Sequence, residues 1–198
     1  IGVVPTPLVY FSTFYLSDEI QGGIMITGSH NPKEFNGFKI CLGQTSIHGS
    51  EIQALRTLIE TDDFETGNGG YRARPILNDY VDWVAENISL ERTDLKVVVD
   101  PGNGTAGPVI VPLLRRLGVN VIEMYCEMDG EFPNHHPDPT KAENLTELIE
   151  MVREHRADVG VAYDGDSDRI GVIDDQGSIL WGDRLLILLS RALLKICL

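Results

Sequence analysis

The sequence predicts an α/β fold with mixed or mostly parallel sheets flanked by helices. Short runs of apolar and β-branched residues, typical of buried strands, alternate along the chain with longer segments of helical spacing. The chain has 198 residues, 42% of them hydrophobic, which is enough for one large or two small cores. A glycine-containing segment over 61–70 resembles a linker, so we expect two units.

The first half is predicted to contain two helices and two strands. Pro5 and Pro7 end a short apolar run at 2–4, and the apolar residues after them favour a buried helix. The segment 23–27 has the composition of an interior strand. In chain order, the predicted elements are a helix over 8–16, strands over 23–27 and 37–42, and a helix over 51–59.

The second half shows a regular alternation of strands and helices, which is typical of a parallel sheet. The predicted elements are a helix over 77–88, a strand over 95–99, a helix over 106–117, a strand over 119–125, a helix over 145–155, a strand over 158–163, a hairpin formed by 170–173 and 179–181, and a helix over 183–196. The last helix is apolar around most of its circumference and therefore needs partners on several sides. We expect the chain to stop just inside a further domain.

Charge and composition exclude several classes of partner. With 16 Lys and Arg against 30 Asp and Glu, the formal net charge is −14, which opposes binding to nucleic acid and to anionic membranes. The longest apolar runs fall short of the roughly 20 residues that cross a bilayer. Cys41, Cys126 and Cys197 are far apart and odd in number, which favours a reducing compartment, and we expect a cytoplasmic protein.

A serine stands where a predicted strand ends, in the segment Thr-Gly-Ser-His-Asn-Pro at 27–32. A serine hydroxyl is a weak nucleophile, so a reactive serine needs a base, a positively charged setting or prior phosphorylation. His30, Lys33 and Lys39 lie close to Ser29 in the sequence. The alternative is an ordinary turn in which Ser29 and Asn31 satisfy backbone groups, and the residues alone leave both interpretations open.

Three carboxylates at alternate positions, Asp164, Asp166 and Asp168, follow the strand predicted at 158–163. Like charges this close repel each other unless they take up protons or bind a cation, and oxygen ligands favour Mg²⁺, Mn²⁺ or Ca²⁺ over Zn²⁺. One alternative is a solvated acidic turn. Another is a calcium-binding EF-hand loop ending at Asp175, but Arg169 stands where that loop needs glycine, and a strand follows instead of a helix.

Two further segments carry a possible chemistry of their own. Residues 102–107 match Gly-x-Gly-x-x-Gly between a strand and a helix, and Glu123 lies near the place of a ribose-binding acid, so a dinucleotide-binding oxidoreductase is an alternative. The adjacent His135 and His136 are metal-binding candidates, but three nearby prolines favour a rigid loop instead.

Several of these segments together resemble one enzyme family. The stretches 26–32 and 36–39, the loop 130–139 and the run Asp-Gly-Asp-Ser-Asp-Arg at 164–169 resemble, in the same order, those of the α-D-phosphohexomutases. The likeness is closest to the bacterial phosphomannomutase/phosphoglucomutase branch, and it covers nearly the whole chain. Ser167 departs from the glycine usual at its position, where glycine reaches backbone dihedrals that serine resists.

The resemblance implies the roles of particular residues. A phosphorylated Ser29 would give its phosphoryl group to the sugar and later recover it, and Lys39 would move a proton at the sugar hydroxyl. Arg169 would face the transferring group, and His30 would lie beside it. The implied ligands of one Mg²⁺ ion are Ser29, Asp164, Asp166 and Asp168.

The resemblance also implies an activity and a domain plan. The parent protein would interconvert a hexose 6-phosphate and a hexose 1-phosphate through a bisphosphorylated sugar, with the phosphorylated hexose as its partner. Residues 1–73 would be the rear of domain 1, 74–181 the whole of domain 2, and 182–198 the opening helix of domain 3. Because the rest of domain 3 and all of domain 4 would be missing, we expect this chain to have little or no mutase activity by itself.

Overall fold

The computed structural model describes residues 1–197, and the surroundings of side chains are described for residues 1–195. The fold is α/β, as predicted, with two sheets. The helices are α1 (Thr6–Tyr15), α2 (Ser50–Glu60), α3 (Leu77–Asn87), α4 (Gly107–Arg116), α5 (Thr146–His155) and α6 (Gly182–Cys197). The strands are β1 (Gly22–Thr27), β2 (Gly37–Leu42), β3 (Thr45–Ser46), β4 (Lys96–Asp100), β5 (Asn120–Glu123), β6 (Val159–Tyr163), β7 (Ile170–Asp174) and β8 (Ile179–Leu180).

The first sheet is antiparallel and has the order β1-β2-β3. Helix α1 packs on one face, where a Cβ at Gly23 would lie 2.9 Å from the side chain of Val9. On the other face Ile24 and Ile26 are 62% and 63% exposed. The strand predicted at 23–27 is present, but the prediction that it is interior is wrong for this chain, because β1 is an edge strand covered by a helix on one face only.

The second sheet is mixed and has the order β5-β4-β6-β7-β8. Strand β4 runs parallel to β5 and β6, whereas β6, β7 and β8 pair antiparallel. Alternate β4 side chains enter different cores, because successive side chains of a strand point to opposite faces. Val97 and Val99 pack with Val111 of α4, whereas Val98 packs with Leu148 of α5. Burial on both faces explains why the centre of β4 consists of three consecutive β-branched valines.

The two halves of the chain share a core. Leu8 and Val9 of α1 pack in one cluster with Val84 of α3 and with Val109 and Leu113 of α4. Residues 63–76, a segment without helix or strand that is longer than the predicted linker, connect the halves. Residues 63–73 are exposed, whereas Ile76 at the end of the segment is buried in this core. Helix α1 is therefore fixed against the second sheet's layer of helices, and the loop after β1 is fixed with it.

The crossovers of the second sheet define where a site can form. The helix after β4 and the helix before β6 cover opposite faces, so a crevice opens at the carboxyl ends of these two strands. The loops 101–106 and 164–169 emerge there.

Helix α6 is present as predicted, and many of its apolar side chains, among them Leu186 and Leu189, are more than half exposed. Within residues 1–197, the helices are too short or too polar to cross a membrane.

Candidate active site

The serine loop is a tight turn at the end of β1. Ser29 has a left-handed backbone with φ 53°, and its N–H donates to Oγ1 of Thr27 at 2.7 Å. The backbone N–H and the side-chain amide of Asn31 both donate to the carbonyl of Gly28, at 2.8 and 2.9 Å. These hydrogen bonds satisfy the backbone groups of the turn without the hydroxyl of Ser29. An ordinary turn therefore explains the contacts of Asn31 but does not explain where the side chain of Ser29 points.

The hydroxyl of Ser29 points to the acidic loop. It donates to Oδ2 of Asp164 at 2.9 Å and lies 3.2 Å from Nδ1 of His30. The other oxygen of Asp164 accepts the backbone N–H of Arg169 at 3.0 Å. The two loops that the sequence singled out therefore meet, although 135 positions separate Ser29 from Asp164.

The acidic loop connects two antiparallel strands, β6 and β7. One carboxylate oxygen each from Asp164, Asp166 and Asp168 lies within 4.8 Å of the others. The EF-hand alternative requires helices on both sides of the loop, and the flanking strands exclude it. Ser167, where the resemblance leads one to expect glycine, has φ 64°, and its hydroxyl lies 3.1 Å from that of Thr105.

Glycine allows the loops to approach so closely. A Cβ at Gly165 would lie 2.4 Å from the carbonyl oxygen of Ser29, and a Cβ at Gly104 would lie 2.8 Å from that of Gly165. The backbone N–H of Thr105 donates to the same carbonyl of Gly165 at 3.0 Å. The loop 102–107 is thus packed against the acidic loop, and protein atoms fill the space beside Gly104 that the dinucleotide alternative would give to a pyrophosphate.

Lys39 reaches the acidic loop from β2, where it pairs with Met25 of β1. Its Nζ lies 2.5 Å from Oδ2 of Asp166 and 2.6 Å from Oδ2 of Asp168. Burial by itself would lower the pKa of Lys39, but the hydrogen bonds and charges of Asp166 and Asp168 outweigh it, so the pKa is raised. Lys39 is therefore an ammonium group at neutral pH.

The carboxylates of the loop differ in their electrostatics. Burial raises the pKa of Asp164, and the neighbouring carboxylates of Asp166 and Asp168 raise it further. Burial also opposes ionisation of Asp166, but hydrogen bonds from Lys39 and Thr6 outweigh it and lower the pKa of Asp166. The surroundings therefore favour the ionised form of Asp166 and disfavour that of Asp164.

The donor set fits a hard divalent cation. Asp166 is 2% exposed, and within the described residues its Oδ1 is buried without a hydrogen-bond partner. A buried carboxylate oxygen left unpaired is costly unless a ligand binds it. The cluster offers only carboxylate oxygens, with the hydroxyl of Ser29 beside them, which suits Mg²⁺ or Mn²⁺ better than Zn²⁺.

Arg169 and His30 lie at the rim of the site. Nη1 of Arg169 is 3.4 Å from Nε2 of His30, and Nε2 of His136 hydrogen-bonds the carbonyl of His30. A cavity of about 420 Å³ opens beside Ser29, with Lys33 and Asp166 among its lining residues. The catalytic and metal-binding residues predicted from the sequence therefore form two hydrogen-bonded groups, which the cluster of three carboxylates brings together. The first group is Ser29, His30, Asp164 and Arg169, and the second is Lys39, Asp166 and Asp168.

The adjacent histidines have separate structural partners. His135 hydrogen-bonds Oδ2 of the fully buried Asp100 at 2.9 Å, and its other ring nitrogen lies 3.0 Å from the carbonyl of His136. His136 instead holds the serine loop through His30. These contacts match the interpretation as a rigid loop.

Sequence reasoning missed Thr6. Its hydroxyl donates to Oδ2 of Asp166 at 2.8 Å, and its backbone N–H donates to the carbonyl of Asp166, also at 2.8 Å. The sequence shows a polar residue between Pro5 and Pro7, at the first position of a helix. This local signal does not predict a contact with a residue 160 positions away.

Comparison with known proteins places the chain in a family. Residues 1–66 match the model for phosphoglucomutase/phosphomannomutase alpha/beta/alpha domain I, and residues 78–177 match the model for domain II. The chain therefore belongs to the phosphoglucomutase/phosphomannomutase family, as the resemblance of its motifs indicated.

Individual relatives agree with this assignment. The chain is 46% identical over 191 residues to a phosphomannomutase/phosphoglucomutase of Pseudomonas aeruginosa, covering 96% of this chain and 41% of that protein. It is 41% identical to a phosphoglucomutase of Neisseria gonorrhoeae, covering 98% of this chain and 42% of that protein. A crystal structure of a family protein from Burkholderia thailandensis matches with a TM-score of 0.93 at 42% identity, covering 98% of this chain and 44% of that one. The chain thus spans less than half the length of these relatives.

Proposed function

We propose that this chain supplies the phosphoserine and the metal site of a phosphohexomutase. Such an enzyme interconverts a hexose 6-phosphate and a hexose 1-phosphate through a bisphosphorylated sugar. The observation that carries the proposal is the hydrogen bond from Ser29 to Asp164, beside the buried Oδ1 of Asp166, which has no hydrogen-bond partner among the described residues. Family membership and the relatives named above support it.

The residues proposed to hold Mg²⁺ are Asp164, Asp166 and Asp168, together with the oxygen of Ser29. When bound, the ion would offset the negative charge of a phosphoryl group at Ser29, which carries about 1.5 to 2 negative charges at neutral pH. Oxygen-only ligands on one short loop provide that setting.

Ser29 is proposed to carry the phosphoryl group that passes to and from the sugar. The left-handed turn directs its Oγ toward the acidic loop and away from its own backbone. His30 lies within hydrogen-bond distance of the same oxygen, and Arg169 lies next to His30, so both can donate to a phosphoryl group there. A fixed set of donors around the transferring group is the usual source of rate enhancement in phosphoryl transfer.

Lys39 is proposed to act at the sugar hydroxyl. Its raised pKa keeps Lys39 protonated in the arrangement seen here. It can accept a proton from the sugar only when Asp166 and Asp168 no longer hold its ammonium group, because those contacts stabilise the charged form.

We also propose that this chain alone has little or no mutase activity, because it spans less than half the length of its relatives. The protein is further proposed to be cytoplasmic.

Phosphopeptide mapping tests the proposal. After incubation of the purified protein with Mg²⁺ and a hexose 1,6-bisphosphate, we expect one added phosphate on the peptide containing Ser29. Ser29→Ala should remove it, and Ser46→Ala, at an exposed serine of β3, should leave it in place. A phosphate on another residue, or one that persists in Ser29→Ala, would contradict the proposed role of Ser29.

A further inference from the structure

Thr6 connects the first helix of the chain to the middle carboxylate of the acidic loop. The side chain is fully buried, and its hydroxyl and backbone N–H donate to the side chain and the backbone carbonyl of Asp166, respectively. The neighbouring Pro5 and Pro7 fix φ on either side of Thr6, so the hydroxyl is held by a stiff segment at the start of α1.

The two oxygens of Asp166 have unequal surroundings. Oδ2 accepts from both Thr6 and Lys39, whereas Oδ1 is buried and has no hydrogen-bond partner in the described part of the chain. A carboxylate rotates freely when exposed, but a hydrogen bond to one oxygen fixes its plane and so directs the other oxygen. Oδ1 therefore has a fixed, buried position on the loop that also carries Asp164 and Asp168.

We propose that Thr6 is a positioning residue for the cation site, which fixes the carboxylate of Asp166 so that its Oδ1 faces the metal. The inference rests on the proposed function, because it requires that the acidic loop binds a divalent cation. Groups that orient metal ligands typically change affinity 10- to 100-fold when removed. Lys39 contacts the same oxygen, but its flexible stem does not define one direction as the short and buried threonine side chain does.

Two variants separate the effect of the Thr6 hydroxyl from the effect of the side chain's shape. Thr6→Val keeps nearly the same volume and branching but removes the donor, whereas Thr6→Ser keeps the donor. Thr13 provides a matched control, because it is buried in the same helix and its hydroxyl donates to the carbonyl of Tyr10 at 2.8 Å, away from the acidic loop. Asp166→Asn is the reference for loss of the cation site.

The experiment measures binding of Mn²⁺ to the 198-residue chain by calorimetry, with free Mn²⁺ counted independently by electron paramagnetic resonance. We expect Thr6→Val to weaken Mn²⁺ binding about tenfold, and Thr6→Ser and Thr13→Val to bind as the unchanged chain does. Thermal unfolding without metal shows whether each variant is folded. If Thr6→Val does not fold, Thr6→Ala replaces it with the same expected loss of affinity.

The outcomes separate the two proposals. If the unchanged chain binds Mn²⁺ and Asp166→Asn abolishes it, but a folded Thr6→Val or Thr6→Ala binds normally, the role of Thr6 is overturned and the metal site stands. Equal weakening in Thr6→Val and Thr13→Val would also overturn it, since the effect would then be general destabilisation. If the unchanged chain does not bind Mn²⁺, both the proposed metal site and the role of Thr6 are wrong.

Discussion

Single side chains decide how the two loops meet, and Ser167 shows how a serine is accommodated in a left-handed backbone conformation. Its φ of 64° is a conformation that costs a non-glycine residue roughly 1–2 kcal/mol. The contact between its hydroxyl and that of Thr105 offsets part of this cost, since such a bond contributes about 1 kcal/mol. Serine is therefore tolerated here where glycine would be unstrained.

A pair of variants isolates the backbone strain at Ser167. Ser167→Gly and Ser167→Ala both remove the hydroxyl, but only glycine relieves the left-handed conformation, so we expect the glycine variant to be more stable by about 1 kcal/mol. Chemical denaturation measures the difference in free energy of unfolding. The same pair at Ser178, which lies outside the left-handed region, should not favour glycine. An alanine variant at 167 as stable as the glycine variant would refute this explanation.

At the level of whole elements, the sequence predicted the strands and helices well, because their signals are local. The valine-rich β4 is predictable since burial on both faces selects β-branched residues along one short segment. Contacts between residues far apart in the chain could not be predicted from local sequence. They determine the order of the strands, the two-residue β3 and the contact of Thr6 with Asp166. For the same reason, the exposed face of β1 could not be read from its apolar composition.

The loop 130–139 is fastened to the end of β4 by the contact between His135 and Asp100. Burial lowers the pKa of His135, but the hydrogen bond and charge of Asp100 outweigh it, so the pKa in the folded state is raised. A raised pKa means that the stabilisation is fully present below the unfolded value of about 6.5 and is lost as pH rises through the higher folded value.

Replacement of His135 should therefore matter more in mild acid than in base. We expect His135→Gln to lower the free energy of unfolding at pH 6, and the difference from the unchanged chain to shrink as the pH rises to 9. Denaturation with urea across this range measures it. A difference that stays constant or grows toward pH 9 would contradict the assigned ion pair.

The molecule as a whole consists of two halves joined by an exposed segment and a shared core. Tyr71 is 94% exposed and Phe64 57%, within a stretch that lacks helix and strand from 63 to 76. Brief treatment with chymotrypsin should therefore cut the chain there first. Because α1 packs with α3 and α4 through Leu8, Val84 and Leu113, we expect the two pieces to stay together.

Gel filtration followed by mass spectrometry measures the outcome of this cut. We expect both pieces to elute at the volume of the uncut chain, and replacement of both Phe64 and Tyr71 by serine to slow the cleavage. Pieces that separate without denaturant would show that the connecting segment, and not the shared core, holds the halves in place.

The separation of Ser29 from Asp164 by 135 positions has a consequence for biosynthesis. Ser29 leaves the ribosome long before the carboxylates that surround it, and closing so large a loop is entropically unfavourable until the intervening helices have packed. The hydroxyl of a nascent chain thus lacks the acidic partners that orient it. The contact between this serine and its acidic partners is therefore a property of the finished tertiary structure, and it forms only once both halves have folded and docked.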